Sequence, residues 1–526
     1  MKVAVGADHA GFPLKGRVLE VVRERGHEPI DLGTDSTSPV DYPDIARAVG
    51  EAIQQGRAAR GVLLCGSGVG ASVAASKMRG VRSAVCHDTY SAHQGVEHDD
   101  MNVLALGARI IGPELMVELV SAFLAARYTA AERHERRLSK VVEIERGLMK
   151  EQAMENPLIL MQKLGQSPWY DNIRRGLLTG GALERMIGDG DIVGLTSNPT
   201  IFEQALATGT DYDDALARLV KAGKSADEIA DALTIEDIRG AAALFQPVFT
   251  RTGGKDGYVS IEVNPKYAGD TEKTVTEVVR LRKAVDRPNL MVKIPATRAG
   301  VTAIERSIAD GFSINVTLIF SLERYAEVID AYQSGLRRRV AAGQDVSRIA
   351  SVASFFVSRV DSAVDAILED RIRASGDADR GALEALRGKA AIANAKIAYQ
   401  LFLEKFGTPA WGELERAGAR VQRPLWASTS TKNPAYPDTY YVEALIGPDT
   451  VDTMPPQTVV AYKDHGKPEV RLTQGAGEAR ALMAELARVG VDMARVTQKL
   501  EEDGVASFAR SFESLIRTVE KRREVR

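Results

Sequence analysis

Short apolar, strand-forming runs alternate with helical stretches along this chain, and that alternation limits the folds open to it. Successive strands that each need a helical crossover lie parallel, and a parallel sheet is covered on both faces. The first five runs, at 3–5, 29–32, 62–65, 83–86 and 103–106, predict an α/β fold, a Rossmann-like α/β/α sandwich around a parallel sheet. Eight further runs, at 168–171, 192–195, 259–263, 290–294, 313–317, 352–355, 424–427 and 450–454, predict a (β/α)8 TIM barrel. In either architecture the reactive side chains belong just beyond the strands' C-terminal ends.

At 526 residues the chain exceeds the usual size of one core, so two domains are expected, at 1–150 and 155–526. The join, 138–164, reads as helix-forming with no Gly/Ser-rich or Pro-rich stretch, which places the break near 147–157. A net charge of -3 gives no sign of a nucleic-acid partner. The opening apolar run stops at Asp8 and His9, too short for a signal peptide or a membrane span, and predicts a cytoplasmic protein with no membrane partner. The two cysteines, Cys65 and Cys86, lack a Cys-x-x-Cys spacing, which argues against a disulfide framework or a zinc site. His93 and His98 are five apart and would lie on different faces of a helix, so no metal is expected.

The third run delivers Cys65 directly into Gly66-Ser67-Gly68-Val69-Gly70, followed by a helical segment. A glycine-rich turn opening a helix presents backbone N–H groups that hold an anion and favour a thiolate. One reading is a relaxed dinucleotide fingerprint, Gly66, Gly68 and Ala71, with Asp88 as the ribose ligand. The other makes Cys65 a base that removes the proton beside a sugar carbonyl, while the amides of Gly66 to Gly70 hold the enediolate. Cys86 reads as a buried core cysteine.

The motifs Gly6-Ala7-Asp8-His9-Ala10-Gly11, Asp41-Tyr42-Pro43, Cys65-Gly66-Ser67-Gly68-Val69-Gly70 and Glu97-His98-Asp99-Asp100-Met101-Asn102 resemble those of ribose-5-phosphate isomerases of the B type. The resemblance implies that Cys65 transfers the proton, Ser67 moves a proton between sugar oxygens and His98 opens the furanose ring. It implies sugar contacts from Asp8 and Tyr42, with Gly66, Gly68 and Gly70 around the intermediate and a phosphate grip of His9, Arg109, Arg133 and Arg137. Arg133 and Arg137 stand one helical turn apart, a spacing that lets both reach one phosphate. In the family this helix enters a second subunit's site, so a homo-oligomer through the N-terminal domain is implied. Asp99 departs from the family, which usually has asparagine after the ring-opening histidine.

In the second part Lys293 interrupts the apolar run Leu290-Met291-Val292-Lys293-Ile294-Pro295 where the strand should meet its loop. A lysine is usually structural there, but one desolvated in a barrel mouth can attack a carbonyl as the neutral amine and form a Schiff base. Asp171, Asn198, Glu262, Thr317, Ser354 and Ser428 end other strands and would converge on the same mouth.

The stretches Ser167-Pro168-Trp169-Tyr170-Asp171-Asn172, Gly194-Leu195-Thr196-Ser197-Asn198-Pro199, Ser260-Ile261-Glu262-Val263, Met291-Val292-Lys293-Ile294-Pro295, Asn315-Val316-Thr317 and Ser354-Phe355-Phe356-Val357-Ser358-Arg359 resemble transaldolases. The resemblance implies a Schiff base on Lys293, proton transfer by Asp171, a catalytic water handled by Glu262 and Thr317, and hydroxyl contacts from Asn198 and Ser354. Phosphate would meet Arg359 and Ser428; many transaldolases have an arginine two residues after that serine, where this chain has Ser430, so the second cation is either Lys432 or absent. The extra helices at 211–254 and 378–406 fit the longer transaldolases. The expected whole is a bifunctional sugar-phosphate enzyme of the non-oxidative pentose phosphate pathway with no cofactor. The alternative is a transaldolase whose N-terminal domain binds a dinucleotide or is a non-catalytic sugar-phosphate-binding or dimerising module. The charged tail, 476–526, reads as a solvated end.

Overall fold

In the computed structural model of the protein, residues 1–152, 156–207, 209–374 and 377–524 are described, and their contacts divide the chain into two compact units, Met1–Met154 and Glu155–Arg526. All thirteen predicted runs are strands.

In the first unit β1 (Lys2–Ala7), β2 (Glu28–Asp31), β3 (Arg60–Cys65), β4 (Ser83–Val85) and β5 (Val103–Gly107) form one parallel sheet in the order β2-β1-β3-β5-β4. The sheet has an apolar cluster on each face, one around Val5, Leu64 and Phe123, the other around Val49, Leu63 and Val103. The chain runs outward from β1 to β2 and then returns to place β3 on the other side of β1. That reversal opens a crevice at the C-terminal ends of β1 and β3, where a doubly wound sheet binds its ligand. Asp8 and Cys65 are the residues delivered there, and the Asp8 amide bonds the Leu64 carbonyl at 3.0 Å to tie the two loops together.

In the second unit β6 (Gln166–Asp171), β7 (Gly194–Thr196), β8 (Val259–Glu262), β9 (Leu290–Pro295), β10 (Ile314–Ile319), β11 (Ser351–Phe356), β12 (Arg423–Ala427) and β13 (Thr450–Met454) close into a parallel barrel. Its N-terminal end is plugged by a buried polar cluster: Arg423 donates to Ser167 Oγ at 2.8 Å and pairs with Asp256 at 3.0 Å. A buried pair contributes little net stability after desolvation, but losing either partner is costly. At the other end short loops run from strand to capped helix. Thr297 caps the helix Arg298–Ala309 after β9 by accepting from the Gly300 amide at 3.0 Å, and Ser321 caps Leu322–Ala341 after β10 in the same way. A Cβ at Gly300 would stand 2.0 Å from the Pro295 carbonyl oxygen, so only glycine lets this helix start so close to the strand that carries Lys293.

The C-terminal helix Met493–Glu524 corrects the reading of the tail as a solvated end. It lies on the helix Pro199–Ala207, where Ser511 meets Thr200 at 2.8 Å and Ser514 donates to Glu203 at 3.0 Å. Arg522, read as part of a charged terminus, donates to the Leu206 carbonyl at 2.7 Å and pairs with Asp213. Charge runs look alike in sequence whether their partners are water or a distant carboxylate. Among the described residues no helix is long and apolar enough to cross a membrane.

Candidate active sites

Lys293 is 5% exposed, and Glu262, its register partner on the adjacent strand β8, is equally enclosed. Lys293 Nζ donates to the Ser197 carbonyl at 3.2 Å and stands 3.7 Å from Glu262 Oε2. Burial pushes the Glu262 carboxyl up to about 7, with Lys293 opposing and Asp171 reinforcing the rise. Asp171, at the end of β6, is also raised by burial, against the pull of Lys293, Arg359 and Lys432. The mouth thus combines an amine with two carboxyl groups displaced toward neutrality, the condition for proton transfer near pH 7. Thr317 Oγ1 and Glu262 Oε2 are buried without hydrogen-bond partners among the described residues. Below them Ser354 donates to Asn315 Oδ1 at 2.8 Å, and Asn315 donates to Ser260 Oγ at 3.0 Å, a polar layer that fixes Ser354.

A cavity of about 190 Å³ opens over this floor, lined among others by Asp171, Asn198, Lys293, Thr317, Ser354 and Arg359. Asn198 also caps its own helix, its Oδ1 accepting from the Ile201 amide at 3.1 Å. At the far end Arg359 and Lys432 face the same space. Burial lowers the pKa of both, Arg359 lowers that of Lys432 further, and only Asp171 opposes. Two half-buried cations that repel one another are a site for a multiply charged anion. The Arg359 guanidinium lies over the Phe356 ring, 5.0 Å from its centre, which fixes its plane. Ser428 holds a left-handed backbone at φ 60° and its Oγ meets Ser358 Oγ at 2.9 Å, joining the turns that follow β11 and β12.

In the first unit Gly68, at φ 81°, turns β3 into the helix Val69–Ala75, and its amide donates to Cys65 Sγ at 3.1 Å. Asp8 accepts from the amides of Ala10 and Gly11 at 2.8 and 2.9 Å, and the Tyr42 ring lies against Gly70. His9 Nδ1 contacts Val40 at 3.2 Å, and the Arg109 side chain borders Gly66. His98 belongs to a separate cluster. Its Nδ1 meets Gln94 at 2.7 Å, and its ring lies 4.1 Å from that of His134. Arg133 donates to His134 Nε2 at 3.0 Å, so Nδ1 carries the proton and donates to Thr129 Oγ1 at 2.8 Å. Burial first, then His98, Arg133 and Arg137, lower the pKa of His134 and keep it neutral. Arg133, Arg137 and Asp99 are exposed on this side. No hydrogen bond, ion pair or ring contact among the described residues joins the Cys65 cluster to the His98 cluster.

The dinucleotide reading loses its ribose ligand, because Asp88 caps the helix Thr89–Asp99 by accepting from the Ser91 amide at 2.7 Å. Cys86 is buried and its thiol is pushed up to about 11, as befits a core residue. No group of His, Cys, Asp and Glu among the described residues could hold a metal ion. Sequence reasoning missed Thr196, Ser430, Gln457 and Phe508 as cavity residues. Thr196 and Ser430 stand two residues from Asn198 and Ser428 and could have been found by that offset; Phe508 arrives from the C-terminal helix and leaves no local signal.

The second unit is a parallel (β/α)8 barrel enzyme fold with a buried lysine among carboxyl groups at its mouth. Residues 168–519 match the family model described as Transaldolase/Fructose-6-phosphate aldolase, and residues 3–141 match the model described as Ribose/Galactose Isomerase. The transaldolase of Parafrankia sp. is 48% identical over 367 residues, 70% of this chain and 98% of its own; that of Thiobacillus denitrificans is 49% identical over 356 residues, 68% and 97%. The solved ribose-5-phosphate isomerase B of Clostridium thermocellum is 42% identical across 28% of this chain and 99% of its own, with a TM-score of 0.28. The chain belongs to the transaldolase family, as a fusion in which a ribose/galactose isomerase unit precedes the transaldolase barrel.

Proposed function

We infer that the chain is a bifunctional enzyme of the non-oxidative pentose phosphate pathway, with transaldolase activity in the barrel and ribose-5-phosphate isomerase activity in the first unit. The observation that carries the reading is Lys293, held beside the enclosed Glu262, lining one cavity with Asp171, Arg359 and Lys432.

In the barrel, Lys293 attacks the ketone carbon of sedoheptulose 7-phosphate. Glu262 and Thr317 hold the water that leaves as the carbinolamine becomes an imine. Asp171 takes the C4 hydroxyl proton, the C3–C4 bond breaks, and its electrons pass to the protonated imine, leaving an enamine of dihydroxyacetone and free erythrose 4-phosphate. Glyceraldehyde 3-phosphate then accepts the three-carbon unit, Asp171 returns its proton, and hydrolysis of the imine frees fructose 6-phosphate. Asn198 and Ser354 hold hydroxyls of the bound unit, while Arg359, Ser428 and Lys432 bind phosphate.

In the first unit, Cys65 removes the C2 proton of open-chain ribose 5-phosphate and returns it to C1, while the Gly66 to Gly70 amides hold the enediolate. Ser67 moves a proton between the sugar oxygens. His98 opens the ring, Asp8 and Tyr42 contact sugar hydroxyls, and Asp99 stands beside the intermediate. His9, Arg109, Arg133 and Arg137 bind phosphate. The separation of the Cys65 and His98 clusters within one chain supports a site assembled from two copies. The exposed apolar Val69, Val73 and Ile110 beside the Cys65 loop support that assembly.

Assaying both reactions in wild type, Cys65→Ala and Lys293→Ala tests the reading. Each substitution should abolish one activity and spare the other; loss of both from one change would contradict independent sites.

A further inference from the structure

Asp452 has no place in the chemistry above, yet it is fully buried on β13, directly behind the phosphate-facing loop. Its Oδ1 accepts from Thr429 Oγ1 at 2.8 Å, and its Oδ2 has no partner among the described residues. Its causes of charge perturbation are burial and the Thr429 hydroxyl, with no cation among them. A carboxyl group kept dry and unpaired is expensive, and such groups persist where they secure something else.

Thr429 is itself fully buried and shares its hydroxyl proton with the Thr453 carbonyl at 3.1 Å. It follows Ser428, whose left-handed backbone is unfavourable for a residue with a Cβ and needs outside support. It precedes Ser430, whose Oγ accepts from Lys432 Nζ at 2.8 Å. On the other side Ser358, the neighbour of Arg359, donates its amide to the Ser428 carbonyl at 3.1 Å. The loop is therefore tied toward Arg359 through Ser428 and toward the barrel wall through Thr429.

We propose that Asp452 is a positioning residue of the phosphate grip: by holding the Thr429 hydroxyl it fixes the strained turn at Ser428 and sets the spacing of Ser428 and Lys432 from Arg359. It touches no substrate. The inference rests on the phosphate-site reading of Arg359, Ser428 and Lys432.

The test follows fructose 6-phosphate with erythrose 4-phosphate as acceptor, and competitive inhibition by inorganic phosphate. Thr429→Val keeps the shape and removes the hydroxyl. It should raise the KM for fructose 6-phosphate and the phosphate inhibition constant each by about fivefold to twentyfold, with kcat within about twofold. Asp452→Ala should do the same. Asp452→Asn keeps an acceptor for Thr429 and should stay within about twofold of wild type in all three. Should Asp452→Ala fail to fold, the Thr429→Val and Asp452→Asn pair decides alone. Unchanged phosphate inhibition in Thr429→Val, or a fall in kcat at constant KM, overturns the proposal. Arg359→Ala is the control: if it leaves phosphate inhibition unchanged, the phosphate-site reading fails instead.

Discussion

Glu262 and Lys293 are register partners on adjacent strands, and their almost fully buried side chains end 3.7 Å apart. With Glu262 pushed up to about 7, kcat/KM for the transaldolase reaction should bend near pH 7. Glu262→Gln should remove that bend and lower kcat by about 10²- to 10³-fold. A glutamine variant that keeps the bend would assign it to another group.

Stability should respond to pH through Asp452. Burial raises its folded pKa from the ordinary 3.8 to about 7, so its protonated form is favoured by folding. That contribution is complete below about pH 4 and is lost as pH rises through about 7. Asp452→Asn should therefore be more stable than wild type by up to about 4 kcal/mol at pH 8, and the gain should vanish toward pH 4. Urea unfolding of the two proteins across that range measures it; a gain independent of pH would mean that charge is not the cause.

Mixing can restore what single variants lack. If the isomerase site takes Cys65 from one copy and His98 from another, Cys65→Ala and His98→Ala chains are each inactive alone. Co-expressed in equal amounts they should recover about a quarter of the wild-type isomerase activity, because half of random dimers are mixed and each mixed dimer has one intact site. No recovery would place both residues in a site made by one chain.

Gly68 stands at φ 81°, with a would-be Cβ 3.1 Å from the Leu106 carbonyl carbon. Gly68→Ala should cost about 1–2 kcal/mol and displace the amide that donates to Cys65. Isomerase kcat/KM should fall at least about tenfold while transaldolase activity holds. Equal loss of both activities would point to global unfolding.

The two folds were legible because most strands are short, largely apolar runs set apart by helical stretches, the pattern of a parallel sheet. The barrel site was legible for a related reason: Lys293 and Glu262 are charged residues at the ends of otherwise apolar strands, where burial is expensive without a purpose. Asp452 breaks the same rule in the same kind of strand, but no apolar run singles it out in Thr450-Val451-Asp452-Thr453-Met454. Phe508 and Arg522 were illegible because their partners lie on other elements, and helical periodicity says which face is buried without saying against what.

The helix Met493–Glu524 supplies Phe508 to a cavity whose other walls come from the barrel strands and their loops. During synthesis, the strands that carry Asp171, Glu262 and Lys293 leave the ribosome before that helix has been made. The nascent barrel therefore holds Lys293 in a mouth that still lacks Phe508.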